Sequence, residues 1–221
     1  CAAEGTASSS GAVTLLTANA GTSGSSGRLV FSSGSAVGGN SGALLLGTGA
    51  STAGRGGAVE ISAGSGTSGA GGLVDVAAGR STLHSGGALV LASGEGTATS
   101  SGAVVIMSSN SGVLGTSGRL VFSSGSAKSG NSGGVIFGSS TATAGCGGNF
   151  LLVVGSGTSG TGEALEISSG RSTANTGGRL YLVSGYGPAT SSGAVSICSS
   201  NGGAAGVSGH LVFSTGSSCG G

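Results

Sequence analysis

The chain has 221 residues, of which 53 are Gly, with 37% apolar, 3% aromatic and 6% charged residues and a formal net charge of +1. Near-zero charge lacks the basic footprint of a nucleic-acid binder, and no apolar run approaches the ~20 residues of a membrane helix. A mean hydropathy of +0.39 is opposite to the low-hydrophobicity, high-charge signature of disordered chains.

Residues 1–10 read as the second half of a repeat, because Glu4-Gly5-Thr6-Ala7 aligns with Glu95-Gly96-Thr97-Ala98. Residue 1 is Cys and no signal-peptide pattern follows it, so the chain reads as processed or as a segment of something longer. From there a Ser-Gly or Gly-Gly pair recurs, followed by a small residue or Arg and then an apolar, variable, apolar pattern. The second residue of each pair falls at Gly11, Gly27, Gly42, Gly57, Gly72, Gly87, Gly102, Gly118, Gly133, Gly148, Glu163, Gly178, Gly193 and Gly209, at spacings of 15 or 16. A longer period overlies this one. GRLVFSSGSAVGGNSG from Gly27 returns as GRLVFSSGSAKSGNSG from Gly118, 91 residues later. Each superrepeat holds six coils, five of 15 residues and one of 16. The extra residue lies near Asn19, Asn110 and Asn201, where a bulge with a left-handed Asn is the expectation.

Fifteen residues are too few for a βαβ unit or a helix pair. They suffice for two short strands and two tight corners. Period-2 apolar residues such as Val13 and Leu15, Leu29 and Phe31, or Val104 and Ile106 are a strand signature. Gly at the corners supplies positive φ. The predicted fold is therefore all-β: a β-solenoid of about fourteen 15–16-residue coils with two parallel sheets. It forms one domain over 1–221, with superrepeats over about 11–101 and 102–192 and a partial third over 193–221.

Two surfaces of this fold are candidates for function. The position between the two inward columns is apolar or Tyr at Val30, Leu45, Val90, Val105, Val121, Ile136, Leu151, Tyr181 and Val212. A contiguous exposed apolar stripe marks an interface, and its bland alternative is β-propensity on a tolerant surface. The opposite face carries Thr52, Thr67, Thr82, Thr97, Thr143, Thr158 and Thr173 in one column, broken by Val113 and Lys128. Stacked Thr is sound β chemistry in itself, and also a way to present hydroxyls and methyls to ice or a polysaccharide surface.

Catalytic groupings are scarce. Asp75 is the only Asp, Lys128 the only Lys, and His84 and His210 lie far apart in the chain. No Ser-His-Asp triad or carboxylate pair presents itself. Gly64 to Gly69 and Gly155 to Gly160 fit GxGxxG, which so much Gly produces by chance, and no strand-to-helix context follows. Cys1, Cys146, Cys198 and Cys219 form no CxxC pair, against a zinc site. Cys1 and Cys219, near the two ends, are candidates for an intermolecular disulfide, and free or buried thiols are the alternative.

The motifs SGAV, SGRLVFSSG and GSGTSG cover nearly the whole chain. They resemble the Ser/Gly-rich short-coil repeats of secreted surface and filament proteins of microalgae and related protists. The resemblance implies an extracellular filament, flagellar hair or wall component and transfers no functional residue. The expected function is an extracellular structural repeat protein that forms or decorates a filament, sheath or flagellar-hair-like assembly through exposed faces and open ends. At least one end is expected to be covered by another chain, since an open strand edge recruits a partner. The alternative is an ice-binding or polysaccharide-surface-binding protein using the Thr column. Partners are further copies or another chain of the same assembly. The expectation includes no enzymatic activity, cofactor, small-molecule substrate, nucleic acid or membrane insertion.

Overall fold

The computed structural model describes residues 11–159 and 161–217. Among these there is no helix and no β-strand; the backbone is irregular and is punctuated by bends and turns. This corrects the predicted all-β solenoid with two parallel sheets. A parallel ladder requires each repeat to exchange N–H···O=C bonds with its counterpart 15 or 16 residues on, and no such bond forms among the described residues. Every backbone–backbone hydrogen bond of the described residues closes a local loop of eight residues' separation or less.

The period itself is present in the backbone. Bends or turns begin at residues 22, 37, 52, 67, 82, 97, 113, 128, 143, 158, 173, 188 and 204, at the same 15- and 16-residue spacings as the sequence repeat. Five bends sit inside loops closed by one backbone bond eight residues apart. These bonds run from the N–H of Gly72 to the carbonyl of Gly64 (2.9 Å), Gly87 to Gly79 (2.9 Å), Gly102 to Gly94 (3.0 Å), Gly178 to Gly170 (2.8 Å) and Gly193 to Gly185 (2.9 Å). Two more loops close through a hydroxyl: Thr17 Oγ1 donates to the Gly27 carbonyl at 3.1 Å, and Thr48 Oγ1 to that of Gly57 at 3.0 Å.

Glycine at the closing position permits a close approach. A Cβ on Gly178 would stand 3.2 Å from the Gly170 nitrogen. Inside the last closed loop, a Cβ on Gly187 would lie 2.6 Å from the Ser191 carbonyl oxygen. Glycine at both ends is not sufficient for closure, since Gly34 and Gly42 stand in the same relation without a bond.

The 16-residue repeats differ from the others. Their extra residue is taken up in tight turns in which the N–H of Gly24 bonds to Gly21, Gly115 to Gly112, and Gly206 to Gly203, at 3.4, 3.3 and 3.1 Å. No described non-Gly residue has positive φ, and Gly130 is the only Gly that does. The left-handed Asn19, Asn110 and Asn201 and, Gly130 apart, the positive-φ corner glycines are therefore corrected: a four-residue tight turn absorbs the insertion without a positive φ.

The chain divides into two units, Cys1–Met107 and Ser108–Gly221. Some local bonds of the first recur in the second 91 residues on. Ser81 Oγ accepts from the His84 N–H at 3.0 Å, and Ser172 Oγ from the Asn175 N–H at 2.9 Å. The Ser32 and Ser123 hydroxyls each donate to the next residue's carbonyl at 3.0 Å.

No described residue is buried, and there is no hydrophobic core. Accessible surface totals 21424 Å², whereas a compact protein of this mass exposes about 8,700 Å² and its extended chain about 29,000 Å². Only Thr17, Gly96, Ser184 and Gly187 are half-buried, and all lie in or beside loop closures.

With no shared core, dilute monomer should show no cooperative transition in a calorimetric scan. Replacing Gly178→Ala should break only its own loop. The expected loss is about 1 kcal/mol, the net worth of one hydrogen bond, read as faster amide exchange at residue 178 with residue 193 unchanged.

Candidate functional site

The apolar triplets lie on the segments that lead from one bend to the next. Alternation survives as a gradient of exposure instead of an inside and an outside. In Val135-Ile136-Phe137 the middle residue is 93% exposed and its neighbours 49% and 60%; in Leu44-Leu45-Leu46 the middle is again the most exposed, at 85%. Val30, Val90, Val105, Val121, Leu151, Tyr181 and Val212 are exposed as well. All nine stripe positions thus face solvent, together with the columns expected to fill a core.

Sequence reasoning missed one grouping. Phe122 and Phe137 meet edge to face, ring centroids 5.8 Å apart at 86°, and Phe137 and Phe150 lie 6.5 Å apart at 32°. Edge-to-face contact sets the positive ring edge against the negative face and adds roughly 0.5–1.5 kcal/mol to area burial. The rings nonetheless remain more than half exposed. Three of the chain's five Phe fall in successive repeats, a signal that the period-2 alternation concealed by marking such apolar positions as inward-facing. Nearby in sequence, Arg179 places its guanidinium 5.6 Å from the centre of the Tyr181 ring.

The threonines occupy a defined place. Thr52, Thr67, Thr82, Thr97, Thr143, Thr158 and Thr173 are each the first residue of a bend, and all are exposed. Val113 opens the tight turn of a 16-residue repeat, Lys128 an ordinary bend, and Pro188, whose ring fixes φ near the value that turns require, opens another.

Other chemistry is dispersed. Among the described residues, no three His, Cys, Asp or Glu side chains approach closely enough to hold a metal ion, and no helix is long and apolar enough to cross a membrane. An open depression of about 570 Å³ beside Phe213, Ser214 and Thr215 contains no titratable side chain. Cys146 and Cys198 are free and exposed. Cys1 and Cys219, the candidates for an intermolecular link, lie outside the described residues, as do the chain ends expected to present open edges.

Comparison with known proteins returns no match to a family model, a curated protein or a solved structure.

Exposed thiols react without waiting for an opening event. Cys146→Ser and Cys198→Ser should each remove one equivalent of rapidly reacting thiol from native protein titrated with an aromatic disulfide. A thiol that reacts only after denaturant is added would contradict the exposed placement.

Proposed function

We propose that this chain is a structural repeat protein that self-associates into an extracellular filament, sheath or flagellar-hair-like assembly and acts through that assembly, not through catalysis. The observation that carries the reading is the exposure of apolar triplets along both units. Fully covering one such side chain is worth about 2 kcal/mol, so a handful covered together meets the lower part of the roughly 4–15 kcal/mol that association costs. A net charge of +1 sets up little repulsion between copies. The extracellular placement rests on the resemblance of the Ser/Gly-rich motifs to secreted surface proteins.

A second reading is favoured by the threonines at the heads of the bends, where they are free to meet an ice or polysaccharide surface. The two readings separate by experiment. Wild-type protein should sediment as a polymer whose fraction grows with concentration. Val121→Lys with Ile136→Lys should return it to monomer, because both side chains are already in solvent and no packing is disturbed. Wild type that stays monomeric at every concentration would sink the structural reading. Thermal hysteresis or polysaccharide retention in wild type, abolished by Thr67→Tyr with Thr158→Tyr, would put the surface-binding reading in its place.

A further inference from the structure

The two units share part of their local bonding but not the same charges. Unit Cys1–Met107 carries Arg28, Arg55 and Arg80 against Glu4, Glu60, Asp75 and Glu95, a net charge of −1. Unit Ser108–Gly221 carries Arg119, Lys128, Arg171 and Arg179 against Glu163 and Glu166, a net charge of +2. The difference arises at positions 91 residues apart. Glu60 becomes Leu151, Glu95 becomes Tyr186, Val37 becomes Lys128 and Ala88 becomes Arg179, all toward positive charge, while Arg55 becomes Cys146 and Gly72 becomes Glu163 in the opposite direction. Glu60 occupies the middle of an apolar triplet, and Arg179 sits beside the Tyr181 ring. Of these positions only Glu60 and its counterpart Leu151 lie in the apolar stripe, and Lys128 stands in the threonine column, so most of the charge difference lies outside the apolar contact.

We infer that copies of this chain associate head to tail, the acidic unit Cys1–Met107 of one copy against the basic unit Ser108–Gly221 of the next. The inference rests on the self-association proposed above and specifies its geometry. Pairing like units would bring net charges of the same sign together, whereas pairing unlike units brings opposite charges together. The apolar part of the stripe is common to both units and gives no preference, so charge decides. A contact between two different surfaces of one chain is heterologous. Each copy keeps one unit of either kind unused, and growth does not terminate unless the rotation closes a ring. The chemistry thus leads to an open-ended polymer instead of a two-fold dimer.

Charge reversal in the full-length chain tests this. Glu60→Lys with Glu95→Lys leaves both units positive; Lys128→Glu with Arg179→Glu leaves both negative. All four residues are exposed, so folding is not at stake. At low ionic strength each variant alone should sediment as monomer, while an equimolar mixture should regain polymers that match wild type in sedimentation and in negative-stain images. Polymer should also fall as salt is raised, since the Debye length shortens to about 8 Å at physiological ionic strength. Either variant assembling alone as well as wild type, or a mixture that yields only two-chain particles or amorphous aggregate, would overturn the head-to-tail arrangement while leaving self-association intact. Wild type that does not assemble would remove both readings.

Discussion

Backbone hydrogen bonding sets the terms for the rest of this molecule. A peptide group needs a partner, and here it finds one either in water or across a loop within its own repeat. The bond from Gly178 to Gly170 uses two residues without side chains, which lets two arms approach where a Cβ would stand 3.2 Å from the opposite nitrogen. One bond per loop does not make a ladder. Neighbouring repeats are then joined by side-chain contacts such as Phe122 on Phe137, and among the described residues no sheet exists against which the apolar residues could be buried. Their exposure is a direct consequence of where the peptide groups are satisfied.

Local closure also makes each repeat nearly independent. In stacked-repeat proteins most stability resides in the interfaces between neighbours. Here the half-buried residues Gly96, Ser184 and Gly187 lie at loops, not between repeats. A chain organised this way lacks a global unfolding unit, and its segments open with small local free energies. Such a molecule gains order chiefly from what it contacts, which is why an assembly is a natural setting for it.

The period was legible in the sequence down to single residues. The threonine column marks the first residue of bend after bend, and the three longer repeats are the ones that form a bonded turn at Gly21, Gly112 and Gly203. What alternation could not reveal was whether strands had partners. A pattern such as Leu29-Val30-Phe31 reports a preference for a pleated, half-covered surface, and that preference depends on context. The context here is a chain whose remaining residues are mostly Gly, Ala, Ser and Thr, which offer little apolar area in return for ordering so much glycine. The stripe was legible for the same reason that the fold was not: its residues are apolar wherever they point. The Phe122, Phe137 and Phe150 cluster went unread because a column assignment placed those rings inside.

Comparison of the two superrepeats separates what the backbone needs from what the surface carries. Glycines that close loops persist, with Gly79 and Gly87 returning as Gly170 and Gly178, and Gly94 and Gly102 as Gly185 and Gly193. The pair Gly64 and Gly72 returns as Gly155 and Glu163, and there no closing bond forms. A side chain at this position is crowded. A Cβ on Gly72 would already come within 3.1 Å of the Ala63 methyl, and the residue equivalent to Ala63 is the larger Val154. Glu163 therefore replaces a closure with a carboxylate. Loop geometry constrains a few glycine positions, and the remaining positions are free to differ in charge without cost to the local fold. A repeat chain built on that division can give its two units the same backbone and different surfaces.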